Sequence, residues 1–200
     1  MLKRAFDLLA SAFALALIAP VLLAIGIAIK LDSPGPAFFR QERVGRFGRT
    51  FKIHKFRSMA VDAPARGPQL TVGNDARVTR VGGFLRRHKL DELPQLIDVL
   101  VGNMSIVGPR PEVPRYVALY SPEDRDLVLS VRPGITDRAS IEFKDESQIL
   151  GEGLDPEAAY RTDILPRKLA YYRAYVRGRS FGGDLAIVFA TLRALLSRDG

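Results

Sequence analysis

The side chains best suited to chemistry are two adjacent carboxylates, Asp91 and Glu92, placed where a helix begins in the most basic part of the chain. Acids in a first turn are ordinarily explained by capping and by the helix dipole, since Asp is a favoured N-cap. Their neighbours argue for more. Arg86, Arg87, His88 and Lys89 precede the pair, and Arg110 follows the helix in the run Gly108-Pro109-Arg110-Pro111-Glu112. Proline on both sides stiffens the backbone of an arginine. An arginine so held suits bidentate phosphate recognition, and paired carboxylates beside it suit Mg2+ or nucleophilic attack on phosphorus. Together these are the parts of a phosphoryl-transfer site.

A second basic motif, Lys55-Phe56-Arg57-Ser58-Met59, ends a strand-like stretch. Strand alternation sends Lys55 and Arg57 the same way, away from Phe56; the plain alternative is a solvated cationic face. His54 and His88 are isolated and receive no role. Asp124-Arg125-Asp126 spells the DxD of metal-dependent nucleotide-sugar glycosyltransferases, but it falls in a helical stretch and reads as surface charge. No GxxxxGK[ST] or GxGxxG loop is present,. Nucleic acid is a poor partner for a chain with no Trp, little aromatic interleaving in its basic segment and no recognition helix,.

The elements that must position these residues begin with an unbroken apolar or small-residue run, Leu8 to Ile29, flanked by Lys3, Arg4 and Lys30. It is membrane material, and it is too long and lacks the polar exit of a cleaved signal peptide. Pro20 removes a backbone donor in its middle and kinks or breaks the helix. A sharp break leaves a first half only ~18 Å long against a hydrocarbon core of ~30 Å, which makes a hairpin dipping into one leaflet; a mild kink still permits spanning. Basic residues at both ends favour both ends on the cytoplasmic side. The +8 net charge of the 200 residues is concentrated between 30 and 110, where 15 Lys or Arg face 7 Asp or Glu. Such a field attracts anionic membrane lipids and concentrates a multiply anionic substrate. With no Cys and two His, disulfide frameworks, thiolate nucleophiles, Cys-based zinc and three-His centres are excluded,.

Beyond the membrane segment the pattern predicts a β-hairpin with strands at Phe38–Val44 and Thr50–Phe56, a loop over Val61–Gly73, and helices over Arg77–Lys89, from Asp91 to Val101, Pro122–Val131, Pro156–Arg177 and Phe181–Leu196,. The last helix carries a stripe of Phe181, Leu185, Val188, Phe189, Leu192, Leu195 and Leu196, with Asp184, Arg193 and Arg198 off it. Such a stripe ordinarily faces a core; at a membrane it can lie in the interface. The fold class is α+β: mostly helical, with a small hairpin, interfacial amphipathic helices, a membrane segment at 1–30 and a catalytic domain at 31–200.

Along most of its length the chain resembles the monotopic bacterial phosphoglycosyl transferases, also described as bacterial sugar transferases or undecaprenyl-phosphate sugar phosphotransferases. The apolar segment interrupted by Pro20, then KFRSM, then DARVTRVGGFLRRHKLDELPQLIDVLVGNMSIVGPRPE, then RPGIT at Arg132–Thr136 occur in the family's order. LDELPQL followed by MSIVGPRP is highly specific. The chain is similar to the small, catalytic-domain-only members.

The resemblance implies a two-step reaction at the cytoplasmic face of the bacterial inner membrane, the first membrane step of a glycoconjugate pathway. The carboxylate at Asp91 would attack the sugar-linked phosphate of a UDP-sugar, expel UMP and hold the phosphosugar until undecaprenyl phosphate takes it. Glu92 matches the acid that binds Mg2+ beside this nucleophile, with Asp91 adjoining the metal. Arg86 and Arg110 match arginines near the phosphates, Lys55 and Arg57 lie in the matching basic motif, and the first segment becomes a re-entrant hairpin broken at Pro20. The chain departs from the family where Ala19-Pro20 replaces a common Ser-Pro pair, and where Asp137 and Arg138 follow RPGIT in place of a glycine and an apolar or aromatic residue. The sugar therefore stays open, as does the choice between a monomer and a homodimer. Two rival readings are a metal-dependent glycosyltransferase using Asp124 and Asp126, and a non-enzymatic membrane scaffold with a basic lipid-binding face.

Overall fold

The computed structural model describes residues 2–67, 70–73, 75–151 and 155–197, so Arg198 lies outside the described residues. The chain opens with helix α1, Leu2–Asp32, which stays helical for 31 residues straight through Pro20, where a sharp break or a mild kink was expected. Asp7, Ser11, Ile25 and Ile29 are buried on it, and Arg4, Ala14, Ile18 and Leu22 continue the same stripe half-buried. The opposite face, with Leu9, Phe13, Leu17, Val21 and Leu23, is exposed, and so is Pro20.

Both ends of α1 are tied to one body. Near its start, Lys3 pairs with Asp184 at 2.7 Å and Arg4 donates to the Met104 carbonyl at 3.4 Å. Asp7 accepts from the Ser105 hydroxyl at 2.8 Å and the Ile106 amide at 3.3 Å. A carboxylate in an apolar helix needs such partners, so this contact decides which face of α1 turns inward. At its far end Ile25 and Ile29 pack with Phe56 and Leu85, and Asp32 accepts the Val81 amide at 3.0 Å.

Strands β1, Phe38–Val44, and β2, Thr50–Phe56, pair antiparallel from Phe38↔Phe56 to Val44↔Thr50, as the pattern predicts. A short helix, α2 (Ala63–Arg66), lies inside the expected loop. Helix α3, Arg80–Arg87, starts three residues later than expected, because Thr79 caps it by accepting the Gly82 amide at 3.0 Å,. Next come a 3-10 turn, Leu90–Glu92, and helix α4, Gln95–Leu100, where one helix was expected. Pro94, which has no N–H, sits at the junction,.

The second sheet is the element the pattern did not announce. Strands β3, Ser105–Val107, and β4, Gly134–Thr136, pair parallel, and three residues each are too few to show a period,. Their crossover holds α5, Pro114–Val117, and α6, Pro122–Val128. After β4 come α7 (Arg138–Glu142), α8 (Glu146–Gly151) and α9 (Pro156–Ala159), then a π-turn at Tyr160–Ile164 leading into α10, Leu165–Gly178, so the long helix expected from Pro156 is there with a bulge. Helix α11, Phe181–Leu196, has the predicted bounds. Its inward residues are Asp184 and Ile187, while Phe189, Leu192, Leu195 and Leu196 are exposed. The second half of the stripe therefore faces outward, as on an interfacial helix, while Phe181, Leu185 and Val188 are half-buried and Phe181 meets Phe6 edge-on,.

The main core gathers Val113, Tyr116, Tyr160, Ile164, Leu169 and Tyr172 under α10. A small cluster of Ile53, Val99 and Met104 fixes α4 on β2, each side chain contributing roughly 1.5–3 kcal/mol by leaving water,. This cluster and the Ile25–Leu85 cluster hold the elements that carry the Asp91 turn.

Candidate active site

Asp91 and Glu92 sit in the 3-10 turn between α3 and α4, and Asp91 is 5% exposed. Lys55, the last residue but one of β2, reaches Glu92 Oε1 at 2.9 Å and Asp91 Oδ2 at 3.5 Å. Arg110 donates to the same Glu92 oxygen from the other side and to the Ile135 carbonyl at 3.4 Å. Two carboxylates and two cations from three separate stretches thus form one cluster. Burial alone would favour neutral Glu92, but Arg110 and Lys55 outweigh it and hold its carboxyl well below the usual carboxylate range,. Burial likewise opposes the charged form of Arg110, and Glu92 overcomes it, raising the guanidinium further.

The supports are specific. Asp98, with no exposed surface, accepts the His54 backbone amide and faces the His54 ring Nδ1, both at 2.8 Å. This clip fastens α4 to the residue before Lys55, and it gives the isolated His54 a structural place. Arg110 is held by the β3–β4 pairing: Gly108 donates to the Thr136 carbonyl at 3.1 Å and Gly134 to the Pro109 carbonyl at 2.9 Å. The two glycines touch so closely that a Cβ on Gly134 would lie 2.1 Å from the Gly108 nitrogen. Half-buried Arg43 donates to the Pro111 carbonyl at 2.9 Å, and desolvation lowers the pKa of that guanidinium.

Not every expected residue joins the cluster. Arg57 does not: its Nε donates to the Pro36 carbonyl at 2.6 Å, its Nη1 to the Ser33 hydroxyl at 2.7 Å and its Nη2 to the Ser33 carbonyl at 2.8 Å. It closes the end of α1. Arg57 thus stands apart from Lys55 in this structure, because β2 ends at Phe56 and strand alternation no longer governs the next residue. Arg86, half-buried in the last turn of α3, forms no ion pair with Asp91 or Glu92. Its charge acts on Asp75, whose carboxyl is lowered first by its hydrogen bond with Arg77. Asp124 is bound on both oxygens by Arg173 Nη1, at 2.8 and 3.0 Å, and Asp126 is exposed, so the DxD motif is surface structure.

Two residues with no assigned role stand beside the cluster. Lys89 adopts a left-handed backbone, φ 55°, immediately before the turn. Burial lowers its ammonium pKa, with Glu92, Arg110, Asp91 and Lys55 all close enough to act on it. Asp137, 2% exposed, caps α7 by accepting the Ser140 amide and hydroxyl, both at 2.9 Å. Burial raises its carboxyl, against the pull of Ser140 and Arg110. In the sequence Asp137 stands out as a family departure and Lys89 only as one of the basic residues before the carboxylate pair, since a left-handed backbone at Lys carries no sequence signal.

The donor set fits Mg2+. Among the described residues Asp91 Oδ1 and Glu92 Oε2 have no hydrogen-bond partner, and no group of three or more His, Cys, Asp or Glu is placed to hold a metal alone. Mg2+ commonly takes one or two carboxylates and completes its shell with water and substrate phosphates.

The sequence profile of the bacterial sugar transferases matches residues 1–198. The chain belongs to the bacterial sugar transferase family. It is 41% identical over 195 residues to UDP-glucose:undecaprenyl-phosphate glucose-1-phosphate transferase of Escherichia coli (strain K12), covering 96% of this chain and 39% of that protein. It is 38% identical over 204 residues to UDP-N-acetylgalactosamine-undecaprenyl-phosphate N-acetylgalactosaminephosphotransferase of Aeromonas hydrophila, covering 100% of this chain and 44% of that protein. A UDP-glucose:undecaprenyl-phosphate glucose-1-phosphate transferase of Caulobacter vibrioides is 39% identical over 199 residues, 98% of this chain and 70% of that one. The chain therefore spans less than half the length of the first two relatives. In this sugar transferase family member the matched region takes in α1 and every residue of the carboxylate cluster.

Proposed function

We propose that this family member transfers a phosphosugar from a UDP-sugar to undecaprenyl phosphate. The observation that carries the proposal is the cluster itself: a nearly buried carboxylate, Asp91, against Lys55, with Glu92 clamped by Lys55 and Arg110, on the body that holds an apolar helix at both ends. The names of the relatives support the substrates.

In the first step an Asp91 carboxylate oxygen forms a bond to the sugar-bearing phosphorus, and the bridging P–O bond breaks with its electron pair leaving on UMP. In the second, an oxygen of undecaprenyl phosphate bonds to the same phosphorus and the Asp91 carboxylate departs. No proton need move in either step. A carboxylate is a weak nucleophile, so the work lies in stabilising charge on the diphosphate, which Arg110 and Lys55 would supply. Mg2+ on Asp91 and Glu92 would neutralise the diphosphate further. The basic segment faces anionic headgroups as well as substrate.

A helix held at both ends by one body has its ends on the same side of a bilayer. Topology is thus proposed to be re-entrant, with residues 1–30 dipping into one leaflet at the cytoplasmic face and 31–200 carrying the chemistry. Exposed Pro20 lies on the outer face, where loss of its N–H lets the helix bend toward the domain,.

The test is nucleotide release by purified protein in nanodiscs given a panel of UDP-sugars, Mg2+ and undecaprenyl phosphate, with Asp91→Asn as the comparison. UMP release abolished in the variant supports the reaction. UDP release would favour an ordinary glycosyltransferase, and UMP release by Asp91→Asn at the wild-type rate would remove Asp91 from the mechanism.

A further inference from the structure

Lys89 is one of two described non-glycine residues with positive φ, and the other, Phe47, lies at the hairpin tip far along the chain from the carboxylates. A left-handed backbone is unfavourable for a residue with a Cβ, and glycine or asparagine would take it at lower cost. Such strain commonly sits where a side chain has a task. Here the bend places Lys89 at the head of the catalytic turn, its carbonyl accepting the Glu92 amide at 3.3 Å. Its Nζ donates to the Lys144 carbonyl at 3.3 Å, in the segment between α7 and α8. Lys55 and Arg110 hold carboxylates, whereas the Lys89 ammonium, two positions before Asp91 at the head of the same turn, is bound to a neutral carbonyl.

We propose that Lys89 is a third phosphate-binding cation of the donor site, parked on the Lys144 carbonyl until a nucleoside diphosphate group arrives. This rests on the donor reading given above. A diphosphate oxygen is a far stronger acceptor for an ammonium than a peptide carbonyl, so Nζ exchanges one for the other. The exchange frees the Lys144 carbonyl and so links diphosphate binding to the segment that follows Asp137 and Arg138.

The experiment is calorimetric titration of the full chain in nanodiscs with UDP and Mg2+, comparing wild type with Lys89→Asn and Lys89→Arg. Asparagine tolerates the left-handed backbone, so the turn survives while the charge is removed. Loss of one charge-assisted contact weakens UDP binding roughly 10- to 100-fold in Lys89→Asn, and Lys89→Arg retains most of it. Equal affinity of wild type and Lys89→Asn overturns the proposal. As a check on folding, Lys89→Gly removes the backbone strain and raises the unfolding midpoint by about 2–4 °C while losing UDP affinity as Lys89→Asn does; retained affinity in the glycine variant would assign the strain to architecture alone. If wild type binds UDP through Lys89 yet releases no UMP from any UDP-sugar, the transfer reaction fails and the diphosphate site stands. If wild type does not bind UDP, both fall.

Discussion

Arg110 and Glu92 hold each other across the site, and Lys55 shares the same Glu92 oxygen at 2.9 Å. Glu92 thus orders two cations that come from β2 and from the loop after β3, neither of which contacts it in sequence. In the proposed reaction an arriving diphosphate would find both already placed, which is how preorganised charge lowers a barrier.

Replacing Glu92 by Gln keeps the shape and removes the charge that gathers Lys55 and Arg110. Turnover should fall roughly 10²- to 10³-fold, with the Mg2+ concentration needed for half-maximal rate increased and the fold retained by circular dichroism. Wild-type turnover at wild-type Mg2+ demand would show that Glu92 is only a capping acid.

Two neighbouring glycines in α3 should respond with opposite signs. A Cβ at Gly82 would lie 2.0 Å from the Ser58 carbonyl oxygen, which is backbone and cannot yield. Gly82→Ala should destabilise by about 3 kcal/mol or more, and by displacing Ser58 should disturb Lys55. A Cβ at Gly83 meets only Val78 Cγ1 at 3.8 Å, so Gly83→Ala should stabilise by about 0.5–1 kcal/mol from helix propensity. Thermal unfolding of the two variants decides, and equal shifts would refute the close packing of α3 on the strand-end motif.

Arg57 ties the end of α1 through Ser33 and Pro36. Arg57→Ala should lower stability by about 3 kcal/mol, because the Ser33 and Pro36 carbonyls lose the buried charged donor that links them,, while the KM for the nucleotide sugar stays as in wild type. A raised KM with an unchanged unfolding midpoint would return Arg57 to the phosphates.

Burial raises the Asp137 carboxyl above its usual value, so folding favours its protonated form. The contribution of such a group is present below the unfolded pKa of about 3.9 and is lost as pH rises through the folded value. Asp137→Asn keeps an N-cap acceptor and removes the buried charge. The variant should therefore unfold at higher temperature than wild type at pH 7, with the gap closing near pH 3.5. A gap that widens on acidification would mean that the charged carboxylate stabilises the fold through Arg110.

The amino-acid sequence by itself determined the hairpin strands, the bounds of α11 and the membrane character of the first segment, because each is written in local periodicity or an uninterrupted apolar run. Asp91, Glu92 and Arg110 were legible for a related reason: their residue types and proline or helix-start settings are local properties. Tertiary structure decided the rest. Lys55 and Arg57 are two residues apart yet serve Glu92 and the end of α1 respectively, since contacts with distant segments, not strand alternation, set their directions. The parallel β3–β4 pair brings residues 105–107 beside 134–136, and no local signal encodes a pairing across that separation. The outward turn of the second half of the α11 stripe, the His54–Asp98 clip and the left-handed Lys89 likewise depend on what packs against them. A period reveals that a face is apolar; only the packed chain reveals what that face meets.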